Sequence, residues 1–506
     1  MNFDKFLDKA IKNGEDEHIE FKEAKNDFPK DALETISAFA NTDGGYLILG
    51  VKEIEDGKFE AVGVKNIDKV KSRMYDLLLQ PKAINYNPID FNDVKEIKYK
   101  NKDIDLLIVP IPKMSYSEMP IFLKDNDRYT YRRIGRDDYL CDRKTIEMMI
   151  RDSLEISFDS KIIKGYSIND FDIDTINEYR YKFEKGKPEH PFNKLSNIDF
   201  LIKINALRQS RQNSDIEPTV AGLLVFGKHT SIKEYLPHYN VEYISKKGNN
   251  KNYGFIDRLI YDGTWGEDNL YNFFNKTADK LYLTVNESSE ILSDSITRKS
   301  SSKFKIAIRE ALVNSIIHCD YQVDLGIVIT RYSDNITFKN GGSLRISKLD
   351  FFKGEHSKPR NYYIQEIFRL VNLCEKAGSG VPKIMEAVEY NKYRYPSLIT
   401  EIDKFEFTLW DTSIIDSFDI KNEIERNILE FILAHKTATV NEIVNNLNIH
   451  RNTSYKYLNG LKDKGILYQS KIGNKYVYMI NINKDFAKYS VIDVMYSMID
   501  VLKNHM

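Results

Sequence analysis

The apolar positions change period along the chain, and the changes mark out its elements. Phe3, Phe6, Leu7 and Ile11 recur near helical spacing. Residues 18–22 then alternate, with Ile19 and Phe21 on one side and Glu20 and Lys22 on the other, which predicts a strand. Pro29 suits the first turn of a helix carrying Leu33, Ile36 and Phe39, and that helix should stop in the turn-rich run 41–45. Residues 46–51, 106–111 and 128–134 read as strands, and 144–154 as a closing helix. Helical periods return at 173–183, 199–207 and 267–280, with an apolar strand at 219–226 and an exposed polar loop at 245–253. From 302 to 390 the order is helix, strand, turn, strand, glycine-rich loops and helix. Residues 421–480 read as three helices and a hairpin, and 484–506 as one amphipathic helix with an apolar stripe that could pair chains or pack on its own domain. The pattern predicts a multidomain α+β protein.

Composition narrows the function classes. The 506 residues carry 74 basic and 75 acidic side chains, a formal charge of -1. A globally basic nucleic-acid coat is thereby excluded, and any polyanion site must be a local patch. No apolar run approaches eighteen residues, so no membrane span is expected. The three cysteines, Cys141, Cys319 and Cys374, are far apart, which fits a reducing cytoplasm and gives neither a disulfide framework nor a zinc knuckle.

Three regions carry candidate chemistry. In the first, Glu15 and Glu20 are followed by Lys22, and Glu53 lies just beyond the strand 46–51. Clustered acids beside a lysine can hold Mg²⁺ or Mn²⁺ for phosphodiester cleavage, the metal generating hydroxide and the lysine offsetting developing charge. In a chain with 75 acids, spacing alone favours a solvated polar strand face. Near the end of this region Arg128, Arg132, Arg133 and Arg136 interleave with Tyr129 and Tyr131. They could grip phosphates and stack bases, or pair with acids such as Asp137 and Asp138.

The wider segment adds a resemblance. Glu15-x4-Glu20-Phe21-Lys22, the run Ser37-Ala-Phe-Ala-Asn-Thr-Asp-Gly-Gly45, Leu49-Gly-Val-Lys-Glu53 and the closing Tyr131-Arg-Arg-Ile-Gly135 resemble the Schlafen AlbA-type domain over about residues 10–150. The resemblance implies a nucleic-acid-acting fold. In its nuclease branch three acids at the places of Glu15, Glu20 and Glu53, with Lys22, cut RNA, notably transfer RNA. The third acid there is often Asp, and Glu is one methylene longer. Many bacterial relatives are described only as nucleic-acid-binding.

In the second region Glu310 and Asn314 are four residues apart, so they share a helix face that His318 extends, opposite an apolar stripe of Ile308, Leu312 and Ile316. Glu plus Asn on one helix can position a water and a Mg²⁺ against a triphosphate; the plain alternative is an amphipathic helix with incidental polar residues. The helix is followed by Phe338-Lys-Asn-Gly-Gly-Ser-Leu344, Ser357-Lys-Pro-Arg-Asn361 and Lys376-Ala-Gly-Ser-Gly380. That order is similar to the divergent GHKL-type ATPase domain that often follows an AlbA-type domain in proteins labelled transcriptional regulators. The resemblance implies ATP as cofactor, with Glu310 activating water, Asn314 holding magnesium, Asn340, Gly341 and Gly342 on the adenine side, and Gly378, Ser379 and Gly380 cradling phosphate. The family's Asp-x-Gly-x-Gly is absent, and Cys319 stands where Arg is usual. An earlier run, Gly222-Leu-Leu-Val-Phe-Gly-Lys-His229, nearly spells a phosphate loop, but its interior is apolar and His229 replaces the magnesium-binding Ser or Thr, so it is rejected.

The third region has the order and lengths of a winged helix-turn-helix. Over 451–475 six cations (Arg451, Lys456, Lys462, Lys464, Lys471 and Lys475) face one acid, Asp463, for a local charge of +5. Candidate nucleic-acid contacts are Arg451, Asn452, Thr453, Ser454, Lys456, Lys471 and Lys475; a winged helix used for docking or dimerisation is the alternative. The expected organisation is therefore 1–155 AlbA-type, 156–300 connecting, 301–412 GHKL-like, 420–482 winged helix and 483–506 C-terminal helix. Three readings follow: a divalent-metal-dependent endonuclease on RNA, transfer RNA favoured, or on DNA, controlled through the GHKL-like domain and the winged helix and fitting a bacterial defence role, which the three acids with Lys22 favour; an ATP-binding, DNA-binding regulator that does not cut; or an interaction scaffold of inert domains. Either of the first two acts on RNA or duplex DNA, with a homo-oligomer as an open option.

Overall fold

Tyr46, Leu47, Ile48 and Leu49 are all buried because the strand they form is covered on both faces. In the computed structural model, which describes residues 3–101, 104–154, 156–211, 214–248, 254–285, 296–346, 348–354, 358–374, 380–418, 420–435, 437–472 and 475–481, this strand, Gly45–Leu49, lies inside a four-stranded sheet. Ile19–Lys22 pairs with it in parallel on one side and Asp105–Ile111 antiparallel on the other, with Lys95–Lys98 at the far edge. Leu47 and Leu49 join Ile36 and Phe39 of the helix Ala32–Ala40 in one core. Tyr46 and Ile48 join Leu7 and Ala10 of the helix Phe3–Asn13 in a second. The chain leaves this sheet at Gly50, whose φ of +97° suits glycine, and enters a separate hairpin, Val51–Glu55 with Lys58–Ala61. A second hairpin, Tyr131–Ile134 with Asp137–Leu140, precedes the helix Arg143–Ser153. These elements belong to one compact unit built on Met1–Ile156.

The other unit is built on Ser157–Leu344 and Leu349–Val491. Its main sheet has six strands in the order Phe255–Leu259, Val241–Lys246, Ile327–Arg331, Asn335–Gly341, Lys404–Trp410, Ser397–Thr400. Only the Val241–Lys246 and Ile327–Arg331 pair is parallel. The long helix Ile296–Ile317 buries Ile308, Leu312 and Ile316 in the same core as Ile327, Ile329, Ile336 and Phe338. A separate core holds the winged helix together: helices Glu423–His435, Val440–Leu447 and Arg451–Asp463 close over the wing strands Leu467–Ile472 and Lys475–Ile480. Thr439 and Glu442 form a capping box at the second helix.

Several expectations change. Residues Val220–Phe226 are a buried α-helix and not a strand, its N-terminus capped by the Thr219 hydroxyl, which accepts from Gly222 N. A run apolar on every side cannot distinguish a buried strand from a buried helix. A Cβ on Gly222 would lie 2.0 Å from Ala206 O, so that glycine serves close packing. The strand expected at 128–134 starts only at Tyr131, after a 3₁₀ turn at Asp127–Tyr129. The polar stretch expected as a loop from 245 begins inside a strand that runs to Lys246. The amphipathic helix expected at 484–506 lies outside the described residues.

Candidate functional sites

Glu20 is buried, 6% exposed, and its carboxylate is held by two cations: Lys22 Nζ at 2.9 Å and Arg133 Nη2 at 2.9 Å. Arg133 is itself buried and also donates to Asp138 Oδ1 at 3.0 Å and to the carbonyls of Asp16 and Ile19. Lys22 reaches Asp31 at 3.2 Å. Burial works against the Lys22 charge, but Glu20 and then Asp31 raise its ammonium above the ordinary value. Glu15 completes the group, accepting from Phe21 N at 3.0 Å. Burial, and then the Glu20 charge beside it, push the Glu15 carboxyl up to about 7.

The third acid is elsewhere. Glu53 is exposed and accepts from Gly57 N at 2.9 Å, closing the turn of its own hairpin. The turn at Gly50 takes Glu53 out of the sheet that carries Glu20. Among the described residues no three His, Cys, Asp or Glu side chains are grouped to hold a metal ion. Around Glu20 the acids Glu15, Asp31 and Asp138 are interleaved with two cations, Lys22 and Arg133, which makes an ion-pair network and a poor fit to a divalent metal.

The polar residues of the 37–45 run have structural work. Ser37 Oγ donates to Ile121 O and accepts from Tyr131 N. Asn41 donates to Ile121 O and Tyr131 O and accepts from Ile121 N, and Thr42 Oγ1 accepts from Arg133 N. They fasten the helix to the arginine strand that holds Glu20. Arg133 therefore faces inward, a correction to its reading as a phosphate contact, while Arg128 and Arg136 are exposed and Arg132 half-buried.

In the second unit Glu310 is 4% exposed on the helix Ile296–Ile317, with Arg309 Nη2 at 2.9 Å from its Oε1. Gly380 begins the helix Gly380–Asn391 against this face: a Cβ there would lie 3.1 Å from Glu310 Oε2 and 3.4 Å from Asn314 Nδ2. The structure thus brings Glu310, Asn314 and Gly380 together; Gly378 and Ser379 lie outside the described residues. Gly341 closes its strand against Asp320, whose N–H donates to Gly341 O, just past the helix end. Asn340 is buried and donates to Gly341 O, while its Oδ1 is buried with no partner. Arg360, missed in the sequence, straps this corner by donating to His318 O and Ser343 O. A helix N-terminus over a carboxylate and an amide fits a magnesium nucleotide.

On the winged helix Arg451, Asn452 and Lys456 are exposed and Thr453 half-buried. Ser454 is a correction: it is fully buried and its hydroxyl donates to His450 O, so it faces no ligand. Lys471 and Lys475 stand in the wing ladder opposite Tyr476 and Ile472. Lys464 pairs with Glu425 at 3.0 Å, which removes one cation from the free charge. Tyr455, Tyr468 and Tyr476 are exposed aromatics that a charge count passes over.

Comparison with known families agrees with these modules. Residues 15–142 match the family described as Schlafen, AlbA_2; residues 324–409 match "Putative ATP-dependent DNA helicase recG C-terminal"; and residues 422–500 match Penicillinase repressor. The chain thus carries an AlbA_2-like, a recG C-terminal-like and a repressor-like module in that order. Between the first two modules, residues 147–242 match a domain of unknown function, DUF8451. The AlbA-type, recG-like and repressor-like modules together are those of a nucleic-acid-binding regulator, and the recG-like module is ATPase-like. No curated protein matches the chain. Among solved structures, the DIP2311 protein from Corynebacterium diphtheriae is 16% identical, with 92% of this chain and 80% of that chain covered and a TM-score of 0.39. Among the described residues no helix is long and apolar enough to cross a membrane.

Proposed function

We propose that the protein is a nucleotide-responsive, nucleic-acid-binding regulator that does not cut its ligand through a metal centre. The observation that carries this reading is the state of Glu20, held between Lys22 and Arg133 while Glu53 is bonded within its own hairpin. A carboxylate already matched by two cations has little charge left for a divalent ion, and freeing it would take from the buried Arg133 one of its two carboxylate partners.

In this reading the winged helix engages nucleic acid through Arg451, Asn452 and Lys456, and the exposed Arg128 and Arg136 of the AlbA-type domain add phosphate contacts. Glu310, Asn314 and the Gly380 helix terminus would hold ATP with Mg²⁺, which supplies charge neutralisation for the phosphates. Asn314 offers an amide oxygen, Gly380 the first amide of its helix, and Asn340 a buried acceptor.

The test is incubation with transfer RNA, single-stranded DNA and duplex DNA, with Mn²⁺ or Mg²⁺ and with or without ATP. The expected result is binding that responds to ATP, with intact nucleic acid. Cleavage that the double change Glu15→Ala, Glu20→Ala abolishes would overturn the reading and establish the competing one, a transfer-RNA or DNA endonuclease.

A further inference from the structure

The winged helix presents rings as well as cations. Tyr455 is 39% exposed and lies one turn after Arg451, whose guanidinium carbon is 5.9 Å from the Tyr455 ring centroid. On the wing, the buried Tyr478 shares the core of the domain with Leu458 and Leu461 of that same helix. Tyr476, 60% exposed, is two residues from Tyr478 on the same strand, and therefore on the same face of the wing. Arg451 and Tyr455 thus stand together on the helix, and Tyr476 stands on the wing strand that packs against that helix through Tyr478. In the ladder Tyr476 stands opposite Lys471.

Major-groove reading relies on side chains that reach base edges with donors and acceptors, and a helix entering the groove meets stacked pairs whose faces are hidden. Exposed rings beside cations are the equipment for the opposite case, in which each unpaired base offers a π-face and the backbone passes over positive charge. We propose that this face of the winged helix takes a single-stranded segment of nucleic acid, with one unpaired base stacked on Tyr455 and a second on Tyr476. This rests on the reading of the winged helix as a nucleic-acid-binding module and names the form of its ligand.

The experiment uses the full chain and two fluorescent probes of the same sequence, a single-stranded DNA oligonucleotide and its duplex, followed by anisotropy. Four proteins are compared: wild type, Tyr455→Phe, Tyr455→Leu, and Arg451→Ala with Lys456→Ala. Wild type should bind the single strand more tightly than the duplex. Tyr455→Phe keeps the ring and should bind the single strand as wild type does. Tyr455→Leu should lose about tenfold on the single strand, the effect of one base–aromatic stack, with little change on the duplex. If Tyr455→Leu leaves single-strand affinity unchanged, or weakens both probes equally, the stacking proposal is overturned while nucleic-acid binding by the module stands. If Tyr455→Phe loses as much as Tyr455→Leu, the hydroxyl and not the ring is at work, and the proposal also fails. If wild type binds neither probe, the module's reading itself fails. Circular dichroism of each variant confirms that the fold is retained, because Tyr455 is a surface position.

Discussion

The AlbA-type domain and the winged helix both carry dense charge, and they use it in opposite ways. In the first, Arg133, Glu20 and Lys22 turn toward one another, and Arg133 is buried with its guanidinium bonded to two carboxylates and two carbonyls. In the second, Arg451, Asn452 and Lys456 stay at the surface, while Lys464 pairs with Glu425 and Arg426 with Asp416 and Glu430. Charge of either kind looks alike in a sequence. What separates an architectural cation from a ligand-facing one is burial, and burial depends on neighbours far along the chain: Ser37, Asn41 and Thr42 place the arginine strand against Glu20 from about ninety residues away.

The largest effect expected from this contrast is on stability. Arg133→Ala should cost about 3–5 kcal/mol, because it leaves Glu20 and Asp138 without their buried partner. Arg451→Ala, on the exposed helix, should stay within about 0.5 kcal/mol of wild type. Urea denaturation of both variants measures the difference, and equal effects would break the contrast. Next comes the nucleotide site, where Asn314→Ala should weaken ATP binding about tenfold or more at constant Mg²⁺, read by titration calorimetry. Unchanged affinity would remove Asn314 from that role.

Smaller effects concern salt and pH. Replacing Arg451 and Lys456 together should reduce the slope of log affinity for duplex DNA against log salt by about 2, while Arg133→Met should leave it unaltered if that variant folds. The pH effect comes from Asp159, which is fully buried and accepts from Ser157 Oγ and Ile364 N. Burial pushes its carboxyl from 3.8 up to about 6. The native state therefore holds a proton that the unfolded chain has released between those values. The stability tied to that proton is complete below about 3.8 and is lost as pH rises through 6. Asp159→Asn should flatten this dependence, by about 1–3 kcal/mol at most across the window. A thermal-melt series from pH 4 to 7.5 checks it.

Much of the fold was legible. The alternation at Ile19–Lys22, the two-sided apolar strand at Tyr46–Leu49 and the three-helix-and-hairpin order after 421 each follow from a local period, and the structure has all three. The helix Val220–Phe226 was not legible as a helix, because seven consecutive buried residues carry no period at all. Of the sites, Glu310 and Asn314 were readable because four-residue spacing fixes a helix face, and Gly380 does meet them. The Glu15, Glu20, Glu53 group was misread as a spatial set. Sequence places Glu53 after a strand, but only the left-handed turn at Gly50 shows that the strand beyond belongs to another sheet. Ser454 lies near the start of a helix, where a ligand contact is expected, but its side chain is fully buried and bonds back to His450 O, an orientation that spacing does not report.

The central claim is that Glu20 is an ion-pair partner and not a metal ligand. Electron paramagnetic resonance of Mn²⁺ titrated into the nucleotide-free protein tests this directly. The account predicts no stoichiometric site that the change Glu15→Gln, Glu20→Gln removes. A single bound Mn²⁺ per chain, tight at micromolar concentration and lost in that variant, would contradict it.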